Sequence, residues 1–127
     1  MFPKPAKGAH RAATLAKRAH EGYVEQQAKD AAKRRDGHAC RRPGCSTNLR
    51  QWRLEAAHLD DQGMGGRHSV SNERRHYVAV CFPCHQGARS LHSGDLRVAP
   101  IDKARGADGP LRWDELTEAG WRTIGIR

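Results

Sequence analysis

Four cysteines stand in two pairs, Cys40 and Cys45 in "CRRPGC" and Cys81 and Cys84 in "CFPCH". The C-x4-C and C-x2-C spacers each let one tight turn aim two thiolates at one ion. Two such pairs far apart in sequence form the pattern of a tetrahedral four-cysteine zinc site. With sulfur in all four positions that zinc is structural, because no position is open to substrate. Near it in the chain lie His58, closing "LEAAH", Asn72 in "SNERR", and His85 directly after Cys84. Together these offer a base, an amide to orient it and a ligand for a second metal ion. Singly each has a plainer reading. Strand-end histidines are commonly inert, asparagine shapes turns, and His85 suits a group hydrogen-bonded behind the zinc ligands.

The elements around these residues decide whether they meet. "QWRLEAAH" reads as a strand, with Trp52 and Leu54 on one face and Arg53 and Glu55 on the other. "DDQGMGGRHSVSNERR" is a glycine-rich polar loop, and "HYVAVC" is a second strand with a β-branched centre. Pro83 suits the first turn of a helix that starts at "FPCH" and stops near Gly94. Zinc would tie the turn near residue 40 to that helix start, and pairing of the two strands would set His58 opposite His85. Residues 6–35 are helix formers and predict a basic helix, weakened at Gly22, that packs through Leu15, Tyr23 and Val24 or orders on nucleic acid. Residues 100–112 read as a linker, and "WDELTEAGW" as a short helix docking through Trp113, Leu116 and Trp121. The fold class is α+β: a basic helical arm (1–36), a small zinc-stabilised domain (37–99), and the linker with its C-terminal helix (100–127).

The totals agree with a metal-supported domain. The chain has 127 residues, 37% hydrophobic and 6% aromatic, enough for one domain with a small core. A net charge of +9 points to a polyanion. Nucleic acid is favoured over membrane, because no long apolar run is present. Arg34, Arg35, Arg41, Arg42, Arg74, Arg75 and Arg89 are the expected phosphate contacts. Such contacts give affinity without sequence choice. The N-terminus lacks the apolar stretch of a secretory signal, so the expected location is intracellular, where cysteines favour metal over disulfides.

Read in order, C-x4-C, H, GG, N and C-x2-CH form a combination more specific than any piece. Over about residues 38–98, through "CRRPGC", "LEAAHL", "GMGG", "SNERR", "VAVCFPCH" and "SLHSGDL", the chain resembles the HNH endonucleases, a ββα-metal nuclease fold on a zinc-ribbon frame. It is similar to the small HNH proteins of many bacteriophages, which implies the cytoplasm of a bacterial host. The resemblance implies that His58 is the general base acting on water, Asn72 orients the His58 ring, and His85 holds a divalent cation such as Mg²⁺, Mn²⁺ or Ni²⁺ at the scissile phosphate. The products would carry 5′-phosphate and 3′-hydroxyl ends. DNA is the implied substrate, cut on one strand or both with low sequence specificity. Terminase or another phage protein would be the partner in DNA packaging.

One position departs from the family. Ala57 stands where many members have a second metal ligand. Asp60, Asp61, His92 or His58 itself would have to replace it, and His92 is favoured. On an unbroken helix His85 and His92 lie about 10 Å apart, too far for one ion unless Gly87 bends the path. Ala57 also supports the alternative function, a catalytically impaired, zinc-framed module that only binds nucleic acid. RNA is the weaker substrate, since the sequence shows no evident aromatic stacking platform.

Overall fold

A computed structural model describes residues 9–59 and 73–127. Helix α1 runs from Ala9 to Arg35 without a break at Gly22. A solvent-facing glycine costs a helix about 1 kcal/mol relative to alanine, and the surrounding Ala, Lys, Arg, Glu and Gln absorb that. The helix ends in a Schellman motif: Gly37 is left-handed (φ 68°), His38 N–H donates to Lys33 O (2.8 Å) and Gly37 N–H to Arg34 O (3.0 Å). The packing face is not the expected one. Leu15 and Tyr23 are exposed, and Ala28 and Ala32 are buried against Tyr77, with Ala56 beside them. Small side chains bring the helix close to the sheet, and the larger apolar residues lie too far along α1 to reach it.

Strands β1 (Leu54–His58) and β2 (Tyr77–Cys81) pair antiparallel, with Leu54 opposite Cys81 and His58 opposite Tyr77. Every residue of β2 is buried. Tyr77 faces α1, while Val78 and Val80 turn into the main core with Ala57, Leu59 and Trp113. Helix α2 (Phe82–Gln86) follows β2 directly and has Pro83 in its first turn, as expected. It stops at Gly87 instead of running on toward Gly94. A Cβ at Gly87 would collide with the Pro83 carbonyl oxygen, so only glycine lets the chain leave the helix here.

The C-terminal third differs most from expectation. Strands β3 (Leu96–Pro100), β4 (Leu111–Thr117) and β5 (Gly120–Ile126) form an antiparallel sheet in that order, where a linker and a short helix were anticipated. Trp113 and Leu111 are fully buried, whereas Leu116 and Trp121 are substantially exposed. An irregularity in the β4–β5 register at Trp113/Asp114 puts both residues inside. That breaks the alternation by which a strand is read, and the helix-forming letters of "WDELTEA" then mislead. The β4–β5 turn is tight, with Thr117 opposite Gly120, which is left-handed at φ 107°.

Asp36 joins the parts. Its side chain is 3% exposed and accepts from Arg35 Nε (2.9 Å), Arg35 Nη2 (2.9 Å), Arg41 Nη1 (3.3 Å) and the Ala79 N–H (2.9 Å). Arg35 also donates to Tyr77 O and Arg74 O, and Arg41 to Ala107 O, Gly109 O and Arg127 O. Burial lowers the Arg41 pKa, and the Asp36 charge works against that. Asp36→Ala would leave the half-buried Arg41 guanidinium without a carboxylate and Arg35 with Asp108 alone, and should cost about 3–5 kcal/mol in urea unfolding; a cost below 1 kcal/mol would show the hub to be dispensable.

Asp114 is the second buried carboxylate, and it accepts from Thr123 Oγ1, Arg97 Nε and Arg112 Nε. Burial pushes its pKa up, but these hydrogen bonds outweigh burial and hold it below the ordinary 3.8. A depressed carboxylate contributes stability above its unfolded pKa and loses it as pH falls through the folded value. Unfolding free energy should therefore fall below about pH 4, and Asp114→Asn should flatten that acid limb in denaturant titrations at stepped pH.

Candidate functional site

The four cysteine sulfurs lie within 4.8 Å of one another. Cys45 Sγ is 3.7 Å from Cys81 Sγ and 3.8 Å from Cys84 Sγ. A tetrahedron built on Zn–S bonds of about 2.3 Å has sulfur–sulfur edges of about 3.8 Å, whereas a disulfide would close to about 2.05 Å. All four are free thiols. The "PG" turn brings the first pair together, with Gly44 left-handed at φ 72°. The second pair spans the junction from β2 into α2. A hydrogen bond from Cys84 holds the Cys40 thiol down to about 5, against burial, while that contact and burial push Cys84 up. The cluster could hold a metal ion such as zinc, whose charge would favour the thiolate form at all four positions.

No cysteine lines the cavity of about 250 Å³ that has His58, His85 and His92 among its lining residues, and His85 directly follows Cys84. His58 comes from the end of β1 and lies edge-on to Tyr77, with ring centroids 5.0 Å apart. His85 comes from α2, and its Nδ1 is 2.9 Å from Glu55 Oε1. A carboxylate on Nδ1 fixes the ring and leaves Nε2 as the nitrogen for a ligand or a proton. His92 reaches the site by a route that a straight helix would not give. Beyond Gly87 the chain folds back, Leu91 N–H donates to Cys84 O (2.9 Å) and His92 N–H to His85 O (3.0 Å). The two rings end 4.6 Å apart between centroids. The 10 Å obstacle disappears because the helix is short.

Glu55 has no role in the sequence reading. It accepts from Arg53, His85 and Gln86. Burial pushes its carboxyl up, but those bonds outweigh it and keep the group below its ordinary value. Its signal was its place: two residues before Ala57 on the same strand face, and opposite Val80 next to Cys81. Ala57 is 3% exposed and lines the cavity. Asn72, Asp60 and Asp61 lie outside the described residues.

The arginines divide. Arg34 is exposed. Arg35 and Arg41 are spent on Asp36 and main-chain carbonyls, with side chains only 12% and 13% exposed, which disfavours phosphate contact. Arg42 and Arg89 both pair with Glu115, Arg74 with Asp108 and Arg75 with Glu73. Trp52 lies parallel to Phe82, with ring centroids 5.7 Å apart, and the Arg53 guanidinium is 4.7 Å from the Phe82 centroid. The two rings are far apart in sequence and meet only once β1 and α2 are placed.

No family model matches the chain, and neither a curated protein nor a solved structure does. Among the described residues no helix is long and apolar enough to cross a membrane.

Native mass spectrometry should find one zinc per chain, and cobalt substitution should give a tetrahedral thiolate spectrum. Cys84→Ser should lose the ion and most of the folding stability that metal binding supplies. Unchanged stability and metal content in that variant would refute a four-sulfur centre.

Proposed function

We propose that this chain is a metal-dependent DNA endonuclease of the HNH type, its ββα unit formed by β1, β2 and α2. The observation that carries this reading is the meeting of His58, His85 and His92 in one cavity, with Glu55 bonded behind His85. The cysteine cluster at the root of α2 is the zinc frame of that fold, and the resemblance supplies the rest.

His85 and His92 are the protein ligands for a divalent cation, and His92 fills the role that Ala57 leaves open. Two imidazoles suit Ni²⁺ best, and Mn²⁺ or Mg²⁺ would depend on water and phosphate oxygens for the rest of the shell. Such an ion, when bound, supplies charge stabilisation at the phosphate and the leaving oxygen. His58 acts as the general base that takes the proton of the attacking water, a task suited to a histidine near neutral pH. Asn72 is assigned by resemblance to hold the His58 ring. Glu55 is a positioning residue: it fixes the His85 tautomer and raises the ring's basicity. DNA is held by exposed arginines such as Arg34 and by the +9 charge, without sequence choice. Phage DNA packaging in a bacterial cytoplasm, with terminase as partner, follows the resemblance. Ala57 favours a second reading, a zinc-framed domain that binds DNA without cutting it.

Supercoiled plasmid incubated with Mg²⁺, Mn²⁺ or Ni²⁺ separates the two. Cleavage should need the added ion, and His58→Ala should slow it by about 100-fold or more while zinc content and fold persist. Glu55→Gln should weaken activation by the ion by about tenfold, restored in part at higher ion concentration. Salt-sensitive plasmid binding with no cleavage under any ion would establish the binding module instead.

A further inference from the structure

The histidine cavity borrows part of its lining from the C-terminal sheet: Arg97 from β3 and Trp121 from β5. The Arg97 guanidinium lies 4.0 Å from the Trp121 ring centroid, and its Nε donates to Asp114 Oδ2 at 3.1 Å. Asp114 is itself immobilised, because Thr123 Oγ1 (2.8 Å) and Arg112 Nε (3.1 Å) occupy its other oxygen. Arg97 is therefore pinned at Nε and stacked on one face. Among the described residues nothing bonds its terminal amino groups, and those form the fork that matches two oxygens of a phosphate. Stacking and pinning in advance reduce the entropy lost when such a fork closes on its partner.

The charge balance points the same way. Asp114 carries one negative charge and meets two arginines, so among the described residues this trio keeps one net positive charge. The cavity's lining includes Arg97 and not Arg112. The side chain of Arg97 is 51% exposed, so it can reach a ligand without first breaking out of the core.

We propose that Arg97, held by Asp114 and Trp121, clamps a backbone phosphate of the nucleic-acid strand that occupies the histidine cavity. The assignment rests on the nuclease reading and makes the C-terminal sheet part of the substrate site. Trp121 acts through Arg97 as a positioning residue.

The test is fluorescence anisotropy of a labelled DNA duplex in Ca²⁺ across a salt series, in the His58→Ala background so that the probe stays intact. Adding Arg97→Ala should weaken binding by about tenfold and lower the slope of log affinity against log salt by about one. Arg97→Lys keeps the charge and loses the fork; it should keep the slope and recover part of the affinity. Arg112→Ala loosens Asp114 but leaves Arg97 in place, so it should cost clearly less than Arg97→Ala, about threefold or less. Equal losses for Arg97→Ala and Arg112→Ala would reduce Arg97 to a support for Asp114 and overturn the clamp. Unchanged binding by Arg97→Ala, in a protein whose wild type binds and cuts DNA, would overturn the clamp alone. A wild type that does not bind the duplex would remove both the clamp and the nuclease reading.

Discussion

Four sulfurs held at tetrahedral spacing are the constraint from which the site follows. They fix where β2 ends, where α2 begins and how the "CRRPGC" turn sits against both. The hydrophobic core around them is small, and Cys40, Cys81 and Cys84 are members of it. A domain of this size gains little from apolar burial alone, so a metal held by the four cysteines would carry a large share of its order. Cys84 and His85 are adjacent, which gives the histidine no slack relative to the cluster. Glu55, on the neighbouring strand, then sets the ring's rotation through one 2.9 Å bond.

Strands β1 and β2 and the cysteine pairs were legible because their signals are local. Alternation around β1, the β-branched run of β2, Pro83 at the helix start and the cysteine spacings each depend on a few neighbouring residues. What escaped depends on long-range contacts or broken periodicity. The irregularity at Trp113/Asp114 turned a strand into an apparent helix. α2 ended early at Gly87, where a side chain would collide with the Pro83 carbonyl, a close approach set by the folded-back path and not read from neighbouring residues. The packing face of α1 was misread because alanines make the contact, and alanines carry little hydrophobic signal. Glu55 was invisible as a functional group until the fold brought His85 to it.

The basic composition also looked simpler than it is. A run of arginines suggests a uniform phosphate-binding surface. The structure instead spends Arg35 and Arg41 on holding α1, β2 and the C-terminal region together through Asp36. Others sit in pairs on Glu115 and Asp108. Charge that neutralises a neighbouring carboxylate contributes less to the field a polyanion meets. The net charge therefore overstates how many arginines can meet a phosphate, and position decides which of them do.

The folded-back segment after Gly87 has a practical consequence. Leu91 is bonded to the carbonyl of Cys84 and His92 to that of His85, so the histidine pair is hooked to a cysteine of the cluster. On the proposed reading, a chelator would silence the protein by two routes with different clocks. Stripping an ion from the histidines would be fast and would reverse on adding magnesium or manganese. Extracting zinc from the largely buried sulfurs would be slow, would unhook the histidine pair, and would reverse only with zinc and refolding. The time course of inactivation, more than its extent, would then identify which ion had left.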